Sequence, residues 1–521
     1  MERAANITCR AILVLASLIT LFTKVASFSA SPIEQGTVIW RTNGAVGSGT
    51  KRPVKDPPTD SKTPAYPQQA PHSGCHFLPS HPGCAVKHKG PKRKGRFFEG
   101  WYYRITIPEE DASFAFIFSV EDPGRTKRQR QRESDIPKHT GTDRLNLSCA
   151  QIMGPNDTYL VQADRDDTKF WAWKHQQGLG CTFEFENEMS KEVGKLTTAI
   201  HPDEWDDLVQ TGFQMLPNRL QGKLKGHDGS KGGVLEGQGE PGECTFDLTI
   251  DPIVGWGDIG GTQKSTAGWL ARYSVFEPHW QSTIADARAS GTVKWKGKTY
   301  NVKNVPFYAE KNWGGAFPIK WYWAQCNAFE GYMGNDATNH LAVTAGGGTR
   351  KIPFGQTESL GMVSVHYNGV FYEAVPWTGT MEWEITPWGS WIMKGRCTKG
   401  ERPFEVEIIA KCGEDDGVEL RAPTEDEGMV YFCRDSFYAK TTLTLWELEY
   451  DKDSKKYHRK GGPPLIDRAT SRQGAVEVGG GPWWDTWKGV SDMKQPMRGL
   501  VRLPYRVDKL RKRLFGGKTE Q

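Results

Sequence analysis

From Phe97 onward, short apolar and aromatic runs alternate with polar residues at a two-residue period, with turn residues between them. Phe97–Ile107 is aromatic and β-branched and stops at Pro108, and Phe114, Phe116 and Phe118 alternate within Ser113–Val120, so the two read as a hairpin. Glu121–Ser148 is a polar, arginine-rich insert that reads as a solvated loop. Strand-like sequence resumes at Ala150–Gln162 and Phe170–Trp173. His201–Phe213 predicts a helix, opened by Pro202, with Trp205, Leu208 and Val209 on one face. Gly222–Gly242 is rich in glycine and lysine and predicts a hairpin edge or open loop. Short strands then recur at Gly291–Lys296, Trp321–Phe329, Leu341–Ala345, Met362–Tyr367, Gly379–Ile385, Trp391–Lys394, Phe404–Cys412 and Thr442–Tyr450. Phe404, Val406 and Ile408 alternate with Glu405 and Glu407, the pattern of a half-buried strand.

Many short strands with glycine-rich turns and almost no helix predict an all-β protein of sandwich or barrel type. The expected arrangement is two antiparallel β-barrel domains side by side, meeting in the turn-dense stretch Gly255–Phe276. The expected units are residues 73–262 and 263–500, followed by a basic tail at 501–521. In that tail Val507, Leu510 and Leu514 share a face opposite Arg506, Lys509, Arg511, Lys512 and Arg513, so Pro504–Gly516 predicts an amphipathic helix. Such a helix fits either an anionic lipid surface or the side of the last barrel.

The length of 521 residues agrees with two domains, and 37% hydrophobic with 25% charged residues is ordinary for a globular protein. Twenty Trp and 58 Gly are unusual and favour aromatic-lined β architecture. No apolar run in the body approaches a membrane span. The ten cysteines form no close pair, and Cys75 and Cys84 with four nearby histidines lack a second ligand pair, so reduced thiols and no metal site are expected. At the N-terminus Arg3 and Arg10 precede the apolar stretch Ala11–Phe22 and then Ala26-Ser27, which is signal-peptide organisation over residues 1–27. Residues 28–72 are rich in Ser, Thr, Lys and Pro, and the pair resembles the bipartite plastid presequence of algae with complex plastids. Losing residues 1–27 removes Arg3, Arg10, Lys24 and Glu2 and lowers the formal charge from +5 to +3, which argues against nucleic acid as the main partner.

The densest chemistry lies in Pro306–Asn327, where one carboxylate, Glu310, stands beside Lys311 and Asn312. Phe307, Tyr308, Trp313, Phe317, Trp321, Tyr322 and Trp323 surround it in sequence. A lone acid among aromatics suits a reaction through a carbocation: low polarity keeps the carboxyl protonated, and ring faces stabilise positive charge. The same residues also suit the core of a β protein around a satisfied buried acid. Lys311 could instead be a surface residue. The chain carries no nucleophile elbow, phosphate-binding loop, zinc-protease motif or dinucleotide fingerprint. Gly346-Gly347-Gly348 and Gly479-Gly480-Gly481 lack the context of phosphate loops and read as turns.

Further acid-and-aromatic clusters occur at Phe98-Glu99-Gly100-Trp101-Tyr102, at Phe276-Glu277-Pro278-His279-Trp280-Gln281 and at Cys433-Arg434-Asp435-Ser436. With F-F-E-G-W-Y-Y-R at 97–104, Q-K-S-T-A-G-W at 263–269, E-K-N-W-G-G-A-F-P at 310–318, L-R-A-P-T at 420–424 and V-E-V-G-G-G-P-W at 476–483, this assembly resembles the tocopherol cyclases over residues 72–490. It departs from them in the loops 121–148 and 222–242, in 74–95 and in the tail. The resemblance implies lipocalin-like barrels and an isomerase that closes the chromanol ring of prenylated hydroquinols without cofactor or metal. It implies a plastid location at a plastoglobule or inner-envelope lipid surface. Glu310-Lys311-Asn312-Trp313-Gly314 also lies on the acid-x-Asn-Trp-Gly pattern of related carotenoid hydratases, with Glu in place of Asp. The implied catalytic residues are Glu310 and Asn312, with His279 or Asp435 relaying the phenol proton. The implied substrate contacts are Glu99, Trp101, Tyr102, Glu277, Trp280, Trp313, Trp321 and Trp323. A hydratase, a non-catalytic prenyl-lipid carrier and, from Trp and acids alone, a carbohydrate-active protein are the competing functions.

Overall fold

The computed structural model describes residues 97–503 except 122–146, 165–168, 174–176, 189–198, 228–240, 273–277, 335–338, 353–355, 425–427, 492, 494 and 496. It also describes a small ribbon of β1 (Trp40–Thr42) and β2 (Lys51–Pro53). The expectations for the presequence, the 121–148 insert, Glu277 and the basic tail helix fall wholly or largely outside these residues.

The first unit is an antiparallel sheet of β3 (Phe98–Ile107), β4 (Ala112–Glu121), β5 (Leu147–Gly154), β6 (Thr158–Asp164), β7 (Phe170–Ala172), β8 (Leu179–Phe185), β9 (Val209–Leu216), β10 (Arg219–His227), β11 (Pro241–Val254), β12 (His279–Trp295) and β13 (Lys298–Gly314). Pairing of β10 with β6 and β11, and of β13 with β3, closes eight of these strands into a ring. The remaining three, β9, β8 and β7, extend from β10. The β3–β4 hairpin forms as the alternation predicts, joined through a tight turn at Pro108–Glu110. Phe114, Phe116 and Phe118 are all fully buried inside the ring, where Phe118 stacks on Phe213 at 3.9 Å. Ala115 and Ile117, on the other face of β4, pack with side chains of the second unit.

That second sheet comprises β14 (Lys320–Cys326), β15 (Leu341–Ile352), β16 (Gln356–Tyr367), β17 (Val370–Ala374), β18 (Gly379–Ile385), β19 (Ser390–Cys397), β20 (Phe404–Lys411), β21 (Val418–Thr424), β22 (Gly428–Asp451), β23 (Lys456–Arg459), β24 (Ile466–Gly480) and β25 (Trp487–Ser491). It curls so that β16 lies beside β18 and β25, around a core that holds Val406, Ile408, Trp391 and Trp383. On β20 the expected alternation holds, with Glu405 and Glu407 outward and paired to Arg396, Arg459 and Lys394.

Three expectations need correction. The sheets change over between Gly314 and Lys320, not within Gly255–Phe276. The turn-dense stretch is instead a strap between β11 and β12 that reaches over the second unit. Ile259 donates to the Gly369 carbonyl, Asp258 pairs with Arg402, and Leu270 packs with Val375, Trp377 and Val501. Turn residues mark any long connection, within a domain or between domains. The helix expected over His201–Phe213 stops after one turn, Trp205–Leu208, because β-branched and aromatic residues from Val209 onward continue as β9. Finally, Gly346–Gly348 lie inside β15 and Gly479 inside β24, where they are not turns. A Cβ on Gly347 would meet the Tyr322 ring at 2.7 Å, and one on Gly479 would meet the Trp321 ring at 2.0 Å, so these glycines make room for aromatic side chains.

Candidate active site

Two-residue alternation on β13 decides what each side chain near Glu310 can do. Tyr308, Glu310 and Asn312 face the second unit, while Lys311 and Trp313 point the other way. Lys311 is therefore no surface residue: its Nζ donates to Glu99 Oε1 at 2.6 Å, both side chains fully buried, between the rings of Trp101 and Trp313. Glu99 sits on β3 in the same alternation as Trp101 and Tyr103, and this ion pair, not a ligand, occupies it.

On the other face lies a cavity between the two units, enclosing about 1710 Å³ with its open mouth included. Its walls are the outer face of β3, β4, β12 and β13 on one side and β14, β15, β21 and β24 on the other, with Ala267 and Leu270 of the strap at its margin. Glu310 lies in the first wall and is 7% exposed. Its Oε2 accepts from Trp280 Nε1 and from the Tyr308 hydroxyl, each at 2.7 Å, and its Oε1 accepts from Asn312 Nδ2 at 3.2 Å. Burial raises the carboxyl above its ordinary range, although these donors pull the other way. Burial thus favours the protonated carboxyl, while its anion, once formed, meets donors already in place.

Aromatic rings box this carboxyl in. Tyr102 is the register partner of Glu310 and meets Trp323 edge-on at 5.4 Å, while Tyr308 lies 6.1 Å from Trp323. The Tyr102 hydroxyl is buried and makes no hydrogen bond, so it remains available to a ligand. Gly346 carries no side chain beside Trp280 and Trp323, which keeps that part of the wall open.

The sequence-predicted residues divide clearly. Glu310, Asn312, His279, Tyr102, Trp280, Trp321 and Trp323 line the cavity. Trp101 borders it but packs into the first barrel, stacked with Phe170 at 5.7 Å. His279 is held flat against Trp313 at 4.8 Å, and Trp313, Glu99 and Asp435 do not line the cavity. Asp435 is fully buried on β22 behind the wall. Its two oxygens make no hydrogen bond, and burial followed by the nearby Glu477 pushes its carboxyl far up.

Sequence reasoning missed a second acid in the cavity, Glu477 of β24. Trp321 Nε1 donates to its Oε1, and burial raises it to about 7, with Glu310 adding to the rise. Its one signal in the sequence is a single acid between Val476 and Val478.

A family model described as Tocopherol cyclase-like matches residues 95–480. The chain is 38% identical over 478 residues to the chloroplastic tocopherol cyclase of Zea mays, covering 91% of this chain and 92% of that protein. It is also 38% identical over 443 residues to a protein of Oryza sativa subsp. japonica named probable tocopherol cyclase, chloroplastic, covering 85% of each. Among solved structures, kievitone hydratase from Nectria haematococca aligns with a TM-score of 0.32 and 11% identity, over 80% of this chain and 99% of that one.

Proposed function

The chain belongs to the tocopherol cyclase-like family, and from that premise we propose that it closes the chromanol ring of prenylated hydroquinols such as dimethylphytylbenzoquinol, with Glu310 as the proton donor. The observation that carries this reading is the buried Glu310 carboxyl, its hold on a proton strengthened by burial and its conjugate base met by donors from Trp280, Tyr308 and Asn312.

Glu310 gives its proton to the less substituted carbon of the prenyl double bond, and the positive charge falls on the tertiary carbon. The faces of Trp280 and Trp323 stabilise that cation, and the aromatic walls keep water from it. The neighbouring phenol oxygen then forms the ether bond and loses its proton, so product and substrate are isomers. The free Tyr102 hydroxyl is placed to bind an oxygen of the hydroquinol head. The chloroplastic names of the relatives support a plastid location. Within the plastid the protein works at a plastoglobule or envelope lipid surface, reached through the bipartite presequence. Exposed Trp484, Val490, Met497 and Leu503 near the end of the described chain suit contact with lipid.

The test is turnover of dimethylphytylbenzoquinol by purified protein in D₂O with a reductant present. The wild type should yield the chromanol with one deuterium on the carbon next to the new ether carbon. Glu310→Gln should fold and lose on the order of 10²–10⁴ in rate, the usual contribution of a positioned acid. A product heavier by one water would make the protein a hydratase. Near wild-type turnover by Glu310→Gln would remove Glu310 from the role.

A further inference from the structure

Ring closure also needs a base, and the cavity holds a second carboxyl on its opposite wall. Glu477 is the register partner of Trp323, so both side chains leave their strands on the same face. Trp323 in turn packs against Tyr102 and Tyr308 of the Glu310 box. Trp321 Nε1 anchors one Glu477 oxygen, and the Cys433 thiol lies beside the carboxyl. Of the alternatives, Asp435 lies behind the wall, and His279 lies in the same wall as Glu310, stacked on Trp313.

The geometry points to Glu477 as the catalytic base that takes the phenol proton as the ether bond forms. This assignment rests on the Glu310 reading above. The balance closes. The alkene π pair takes the proton of Glu310, and a phenol oxygen lone pair forms the C–O bond. The O–H bond breaks, with its proton passing to the Glu477 carboxylate. Exchange with solvent then returns one proton to Glu310 and removes one from Glu477. Burial and the nearby Glu310 raise the Glu477 carboxyl to about 7, so near neutral pH it can both take the phenol proton and release it to solvent. Neighbouring groups that influence this pair are Asp435, Cys433 and Tyr102.

The experiment separates protonation from closure. Wild type, Glu310→Gln and Glu477→Gln are incubated with dimethylphytylbenzoquinol in D₂O, and both product and recovered substrate are analysed by mass spectrometry. Glu477→Gln is expected to slow chromanol formation on the order of 10²-fold or more. It should still form the cation, which loses a proton in reverse and leaves deuterium at the vinyl carbon of recovered substrate. Glu310→Gln should show neither closure nor exchange. If Glu477→Gln closes the ring at near wild-type rate, or is slow with no exchange, Glu477 is not the base. If Glu310→Gln still exchanges, the Glu310 reading fails, and the Glu477 result is judged by its own ratio of exchange to closure. Should Glu477→Gln not fold, Glu477→Asp carries the test, because setting the carboxylate back by one methylene should raise that ratio. An unchanged ratio overturns the proposal.

Discussion

Asp435 is the residue whose environment is most at odds with its charge. It is fully buried, without a hydrogen bond, beside Glu477. Its folded-state pKa lies well above the ordinary 3.8, so the folded protein keeps a proton that the unfolded chain releases. The resulting contribution to stability is complete below 3.8 and is lost as pH rises through the folded value. Asp435→Asn removes the proton and this loss. The variant should melt at the wild-type temperature in acid and above it near neutral pH, the gap widening until Asp435 ionises in the folded state. Calorimetric melting temperatures across pH check this, and a gap that shrinks with rising pH would refute it. Asp435 also marks a limit of sequence reading: a short acidic motif suggested chemistry, but only the packed fold reveals a carboxyl shut behind the cavity wall.

At the scale of elements, glycines in β15 and β24 shape the cavity more than any single ring. A Cβ on Gly346 meets its neighbours at 3.5 Å or more, which is ordinary contact, whereas one on Gly347 or Gly479 would enter an aromatic ring. Gly346→Ala should therefore fold normally and alter KM by a few-fold at most. Gly347→Ala and Gly479→Ala should lower both melting temperature and kcat/KM, with Gly479→Ala the more damaging. Thermal melts beside steady-state kinetics would establish the order, and equal effects in all three would refute the packing argument. These strands also show what the sequence made legible. Alternation on β4 and β20 was plain in their residues, and so was the acid among aromatics on β13. The inward turn of Lys311 was implicit in the same period of two that turns Glu310 outward. Glu477 stayed hidden for a physical reason. A polar residue on the outer face of a barrel reads as solvated until one knows that another barrel covers that face.

For the molecule as a whole, the site belongs to neither unit alone. Glu310 comes from the first sheet and Glu477 from the second, and buried polar contacts hold the two together. Arg104 of the first unit donates to Gln325 Oε1 at 2.7 Å and to the Gln473 carbonyl at 2.6 Å in the second. Two fragments divided between Gly314 and Lys320 should each make no chromanol, because each leaves one wall and one acid missing. Mixing refolded fragments should restore product only where they re-associate, as seen by size-exclusion chromatography with activity measured across the same fractions. Activity in an isolated fragment would show that the cavity between the units is not where the reaction occurs.

The order of these parts along the chain has a consequence in time. Of the residues that form the cavity walls, Glu477 is among the last to be synthesised, well after the strand that carries Glu310. A nascent chain, or one still threading through a membrane, can complete its first barrel while Glu310 still stands uncovered on that barrel's outer face. Proton-donating power is therefore withheld until nearly the whole polypeptide has arrived and docked upon itself.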